Sequence, residues 1–392
     1  MRTDGAALYL VRIFVLAGAY YGAAKLGLTL AFANRSVTAV WPPTGIALAA
    51  VVLWGYRVWP GIALGALFAN GWTGVPIETV LGITLGNTLE ALAGGYLLQR
   101  AKFDSALRRV RDVLALVVLA AILSTLVSAT VGVASLGLGG ELSWDDVGST
   151  FRVWWLGDMG GDVVVAPFVL LFVGHLREAP RDRWLEAVVL LALLATVALV
   201  LFGEDKPLAY VAFPFLIWAG LRLGPHGASA ASLLVAGTAV AYTANHHGAF
   251  VQGTRDESLL LAQTFSGVAA VTALLLAAVA AERRQAEAAS AQARSQEALE
   301  INDNIVQGLA VARYAVQAGR TELAEDALET TLTDARAMIG GLFDQLPPEA
   351  VARPGALRRR SPAEPARGDR PSSLPPEAGS VPPKGGAPPE GG

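Results

Sequence analysis

From residue 7 to residue 281 the chain returns again and again to apolar runs of roughly bilayer length, and this confines it to the membrane-spanning helical class. The runs cover 7–32, 37–55, 58–73, 77–98, 112–135, 151–174, 185–202, 207–222, 227–244 and 258–281, so about ten crossings are expected. The third and eighth are short, and eight crossings is the alternative if these two tilt or re-enter. Beyond residue 281 no long apolar run remains. The expected fold is all-α: a polytopic transmembrane helix bundle over 1–281, a cytoplasmic signalling helix and two-helix hairpin over 282–346, and a disordered tail over 347–392 with twelve prolines. The 53% apolar and 16% charged composition fits that class. A net charge of −3 offers no footprint for nucleic acid, and the lack of cysteine excludes disulfides, thiolate metal sites and cysteine nucleophiles. No cofactor and no metal site is expected. The first apolar run is long and has no clear small-residue cleavage site, so it reads as a retained helix and not a signal peptide.

Basic residues set the orientation. Arg57, then Arg100, Lys102, Arg108, Arg109 and Arg111, then Arg177, Arg181 and Arg183, then Arg222, then Arg283 and Arg284 fall in alternate loops. The remaining loops carry only Arg35, Lys206 and Arg255, together with the acidic group Glu141, Asp145 and Asp146. The positive-inside rule then places both termini in the cytoplasm. Trp54, Trp59, Trp72 and Trp154 are expected as interfacial anchors, and the arginine-rich loop at 100–111 as an orientation signal with some attraction to anionic lipid.

The stretch Phe151–Phe172, FRVWWLGDMGGDVVVAPFVLLF, breaks the apolar rule from within. Asp158 and Asp162 lie one turn apart, on the helical face that also carries Trp155. A carboxylate at mid-membrane costs on the order of 3 kcal/mol on insertion scales, so such residues face other helices or a wet cavity and point to a site. Gly157, Gly160 and Gly161 leave the backbone bare for close helix approach. Counting from the outer face at about 1.5 Å per residue puts Asp158 roughly 10 Å and Asp162 roughly 16 Å deep, with Asn87 and Glu90 roughly 12 and 16 Å down the fourth crossing. Trp41 and Pro42 fall in the outer third of the second crossing, where Pro42-Pro43 would interrupt mid-helix bonding, and Asn70 lies near the outer end of the third. Trp41, Pro42, Asn70, Asn87, Glu90, Trp155, Asp158 and Asp162 thus form a candidate polar pocket, open to the outside, for an unidentified small-molecule ligand. The competing reading is interhelical hydrogen bonding, worth about 0.6 kcal/mol per pair. His246-His247 reads as an ordinary polar loop, and Lys25 is expected beside a carbonyl or carboxylate.

After the last crossing, AERRQAEAASAQARSQEALE has no Gly or Pro and should continue the helix into the cytoplasm. Gly319 ends it, and Thr321 caps the next helix, with Glu322 and Glu325 near its positive end. Leu328, Leu332, Ala335, Ile339, Leu342 and Leu346 then recur at heptad spacing, and Ile301, Ile305, Leu309, Ala312 and Val316 form a matching stripe in the preceding helix. Two such stripes are buried better by four helices than by two, so a homodimer through the hairpin is expected.

Two stretches resemble known families. Trp41-Pro42-Pro43-x-Gly45, Gly55-x-Arg57-x-Trp59-Pro60, Gly86-Asn87-x-x-Glu90 and Trp155-x-Gly157-Asp158 with Pro167 resemble, in order, the membrane-associated sensor domain called the MASE family, of the first type. The resemblance covers about residues 8–281. It implies a bacterial integral-membrane sensory module of the kind attached to histidine kinases and cyclic-di-GMP enzymes. EALEINDNIVQGLA resembles the dimerisation and phosphoacceptor hairpin of histidine kinases with a Glu-Leu-His-Asp box: Glu300, Ile301, Asp303, Gln307 and Leu309 match its frame. Asn302 stands where the phosphoacceptor histidine belongs, and an amide is not nucleophilic at neutral pH. The chain also ends before an ATP-binding domain could fit. Both features imply a non-catalytic sensor that passes its signal to a partner, either a response regulator or an intact histidine kinase. A small-solute transporter or channel is the alternative from a different class.

Overall fold

The computed structural model describes residues 2–29, 40–204, 206 and 208–344, and every regular element among them is helical. The expected tail at 347–392, the Arg35 loop and Leu346 lie outside the described residues. Eleven helices are named here: α1 (Arg2–Thr29), α2 (Pro42–Trp54), α3 (Trp59–Asn70), α4 (Ile77–Arg100), α5 (Val110–Leu138), α6 (Trp144–Gly174), α7 (Arg181–Leu201), α8 (209–223), α9 (Gly224–Ala244), α10 (Arg255–Gln317) and α11 (Thr321–Asp344). Each of the ten expected segments holds a helix within its described residues. Six stretches are long and apolar enough to cross a membrane, and one of them, Ala209–Ala244, joins α8 and α9. The chain doubles back within it at Gly224, whose φ of +67° an L side chain rarely adopts. Arg222 at the end of α8 meets Glu186 at the start of α7, while Tyr242 at the far end of α9 meets Leu199 at the far end of α7.

The helix α2 corrects one expectation. Its 13 residues begin at Pro42, so the two prolines open the helix and do not kink its middle. A fixed φ and a missing N–H cost nothing in a first turn, whose amides have no intrahelical acceptor. At about 1.5 Å per residue α2 and the 12-residue α3 are near 20 Å long, short of a hydrocarbon core of roughly 30 Å. By contrast α6 starts seven residues before the expected 151, at Trp144. Within it Gly161–Val165 and Leu170–Gly174 are π-helical. Pro167 has no N–H for the Val163 carbonyl, so four-residue bonding cannot run unbroken through this region.

The chain divides into two compact units, Met1–Ala293 and Arg294–Gly392, with the division inside α10. In the first unit the largest buried cluster joins α5, α6, α7, α8, α9 and α10 through residues such as Val113, Leu171, Leu194, Leu216, Val235 and Leu274. The bundle ends differ in charge. Arg57, Arg100, Arg108, Arg183, Arg222 and Arg284 gather at the end where α4 stops and α7 and α9 begin. In the second unit α10 closes at Gln317, Gly319 turns at φ +70°, and α11 runs from Thr321. Small residues take a large part in their contact: Ala312, Ala315 and Ala324 are buried, and Gly308 lies against Thr331, while Asn304 Nδ2 reaches Met338 Sδ at 3.9 Å. Leu309, Leu328 and Leu332 are 50%, 45% and 51% exposed, so these three expected seam residues lie on the outer face of the hairpin and not at its internal contact. Ile301 and Ile305 are half-buried. The side chains of Ile339 and Leu342 lie outside the described residues.

Candidate functional site

The site is built where α2 lies on the π-helical part of α6. A Cβ added to Gly45 would land on the Gly161 carbonyl and the Ala166 amide, and one added to Gly161 would land on the Trp41 carbonyl. The two backbones therefore touch directly, as small residues allow in lipid. Trp41 N–H seals the junction by donating to Gly157 O at 2.9 Å. Behind it α4 crosses α5 on glycines of its own, Gly86 against Val131 and Gly94 against Ser124.

These contacts bring Asp158, Asp162 and Glu90 together in the interior, 1%, 0% and 2% exposed. Thr44 Oγ1 donates to Asp158 Oδ1 at 3.0 Å. Both oxygens of Asp162, Oδ2 of Asp158 and Oε1 of Glu90 accept no hydrogen bond from any described group, and no ion pair reaches the three carboxyls among the described residues. Beside them runs a chain of donors: Trp154 Nε1 to Ser128 Oγ (3.1 Å), Ser128 Oγ to Asn87 Oδ1 (2.8 Å) and Asn87 Nδ2 to Tyr20 OH (3.0 Å). Ser128 is fully buried, so Ser128→Ala strands the Trp154 N–H and the Asn87 carbonyl at once. We expect a loss of about 1–3 kcal/mol, read as a lower melting point of the purified protein. An unchanged melting point would show the chain to be incidental.

The structure thus joins Trp41, Asn87, Glu90, Asp158 and Asp162 from the expected pocket, with Pro42 adjoining, and corrects the rest. Asn70 donates to Ala66 O of its own helix at 2.8 Å and stands apart. Trp155 donates to Ile122 O at 3.1 Å, and it is Trp154, expected as an interfacial anchor, that enters the network. A carbonyl or carboxylate was expected beside Lys25, but its Nζ lies over the Tyr21 ring, 5.5 Å from the centroid. Because α6 begins earlier than expected, Asp158 lies about 20 Å from its start, as Glu90 does from the start of α4. The carboxyls are therefore near mid-helix and enclosed, where an open outer pocket was expected. The sequence reading missed Tyr20, Thr44, Ser128 and Trp154. One signal was present: Ala120, Ser124, Ser128 and Gly132 recur every four residues, a small-residue stripe against which another helix can close. Among the described residues no group of acidic or histidine side chains is arranged to hold a metal ion.

Residues 11–284 match the profile of the MASE1 family. The chain belongs to that family. Its MASE1 region is thus a membrane-associated sensor domain, and the protein is a multi-pass membrane protein. The chain is similar to the probable diguanylate cyclase DgcE of Escherichia coli (strain K12), at 28% identity over 195 residues. That match takes in 47% of this chain and 17% of the relative's length. No solved structure matches the chain.

The MASE1 site also touches α10. Val163, Val164 and Val165, which follow Asp162 in the π-helical segment, share a buried cluster with Ala236 of α9 and Ala270 of α10. Gln263 of α10 donates to Val153 O of α6 at 3.4 Å.

Proposed function

We propose that this protein is the input side of a signalling system in a bacterial inner membrane, with both termini cytoplasmic, and that the buried carboxyl junction is its sensing element. One observation carries the reading: the π-helical segment bearing Asp162 packs on α2 at one side and on α10 at another. Any ligand or membrane change that separates or relaxes the carboxyls must repack α6, and α10 is in direct contact with that repacking. Helix α10 continues without a break to Gln317, so a shift of its membrane part has a covalent route to the hairpin. Packed interfaces respond in discrete steps, which suits a switch.

The output is a protein contact made by the hairpin. Asn302 at the position of a phosphoacceptor makes the hairpin non-catalytic, and the exposed Leu309, Leu328 and Leu332 give it a face for a second copy. Partners of the kinase and response-regulator class fit the hairpin's resemblance, and the likeness to a probable diguanylate cyclase adds cyclic-di-GMP signalling. The chain has no cysteine, so single cysteines test the dimer directly. At Leu328 and Leu332 they should cross-link strongly in native membranes, and at Glu325 and Glu329 little. Uniformly weak cross-linking would remove the output from this reading.

Buried carboxyls beside π-helical breaks are also marks of transporters. Solute flux in proteoliposomes that disappears in Asp158→Asn would favour that second reading.

A further inference from the structure

A cavity of about 320 Å³ opens at the basic end of the first unit, between the loops after α4 and α6, the α8–α9 turn and α10. That volume is at the lower end of the range of small-molecule clefts, about 300–1,000 Å³. Arg108, Arg183, Arg222 and Arg284 line it, from four separate parts of the chain. Their compensation is uneven. Arg108 pairs with Glu178, Arg222 holds Glu186 through two bonds of 2.8 and 3.2 Å, and Arg183 lies 3.6 Å from Asp182 while donating to Arg222 O. Desolvation is the largest single influence on Glu178 and opposes its ionisation, but the His175 ring and the Arg108 guanidinium together outweigh it and hold its carboxyl below the ordinary range. Among the described residues Arg284 has no carboxylate partner: its Nε donates to Ala280 O of its own helix at 3.0 Å. One positive charge is therefore in excess, and it belongs to the residue contributed by α10.

The floor of the cavity adds to this charge. Gly224, Pro225 and His226 line it, and they form the first turn of the 21-residue α9. The dipole of a helix start favours an anion. His226 is pinned there, its Nε2 donating to His175 O at 3.0 Å and its ring edge-on to Phe172.

We propose that this cavity is a binding site for a phosphate group carried by a lipid headgroup or by a free anion, and that the bound phosphate clamps α10 to the α8–α9 turn. Planar guanidinium groups and a helix start recognise phosphate oxygens from several sides, and one bound anion would balance the excess charge. The site lies at the opposite end of the bundle from Trp144 and the acidic loop, and it does not depend on the reading of the buried carboxyls.

The test uses the full chain in nanodiscs. In one arm the discs are made of an uncharged glycosyl diacylglycerol, which carries no phosphate, and inorganic phosphate is titrated against chloride at matched ionic strength. In the other, phosphatidylglycerol is added to the discs and phosphate is omitted. A rise in melting temperature in the first arm identifies free phosphate, and a rise in the second identifies the headgroup. Arg284→Gln should weaken the effect roughly tenfold or more in apparent affinity, while Arg177→Gln, which removes the same charge from an exposed residue outside the cavity, should leave it intact. Hydrogen exchange around 280–286 should slow with the same ligand in the wild type and in Arg177→Gln, but not in Arg284→Gln. If neither arm stabilises the wild type, or if both variants lose the effect equally, the site does not exist as described.

Discussion

Replacing Gly45 by alanine should leave little or no folded protein to extract. The added methyl would occupy the position of the Gly161 carbonyl and the Ala166 amide, and both are backbone. No rotamer can relieve such a clash, so α2 must withdraw from α6 and open the junction that holds Trp41, Thr44 and Asp158. Overpacking of flexible cores costs about 1–3 kcal/mol. A backbone collision at a closed junction should exceed that range, which is enough to unfold a marginally stable protein. Gly161→Ala should behave alike, since its methyl would meet the Trp41 carbonyl. Gly94→Ala should be milder because it meets the ends of side chains, Leu48 and Ser124, that can move. Gly18→Ala meets nothing and should be neutral or slightly stabilising, by up to about 1 kcal/mol from helix propensity. Size-exclusion profiles and melting points across these four variants check the ranking. If Gly45→Ala matched Gly18→Ala, the direct contact of α2 with α6 would be wrong.

Asp162 and Asp158 should respond in opposite directions to the same substitution. Asp162 is fully buried, and neither of its oxygens accepts a hydrogen bond from the described protein. An uncompensated buried polar group costs about 1–3 kcal/mol, so Asp162→Leu should stabilise the protein by a comparable amount. At about 2–4 °C per kcal/mol for a domain of 150–250 residues, the melting point should rise by several degrees. Asp158→Leu instead strands the Thr44 hydroxyl and crowds the contact with α2, and it should lower the melting point. A natural sequence that keeps a residue it would be more stable without is trading stability for function. Destabilisation by Asp162→Leu would mean that the carboxyl has a partner in the membrane, and it would count against an uncompensated carboxyl at the junction.

Much of this was legible in the sequence because lipid makes the rules strict. Apolar length located every helix of the bundle, and alternating basic loops anticipated which ends would gather. Asp158, Asp162 and Glu90 stood out because carboxyls are rare in such runs. The rest was hidden for physical reasons. Hydroxyls such as Thr44 and Ser128 cost little in a membrane helix, since they can bond to their own backbone, so they carry no sequence alarm. Trp154 and Trp155 are adjacent, and only the rotation of α6 against α5 decides which indole turns inward. The start of α2 was misplaced because Pro42-Pro43 is equally compatible with a kink and with a first turn. Heptad spacing in the hairpin located an apolar stripe, but it could not separate the face for α11 from the face turned outward.

The alanine contact of the hairpin has a mechanical consequence. A methyl group stands barely above the helix surface, so the buried Ala312, Ala315 and Ala324 give their part of the contact low relief, with Thr331 against Gly308 and Met338 beside Asn304 as its larger teeth. Large interlocking side chains act as teeth that hold two helices in one axial position. Methyl groups offer few teeth, and each contributes only on the order of 0.8 kcal/mol of apolar burial. The pair is then stiff along its length, where backbone hydrogen bonds resist stretching, and compliant in sliding and in tilt. Such an element carries a displacement over its length with little loss and gives way at its contact, as a lever does at a loose bearing.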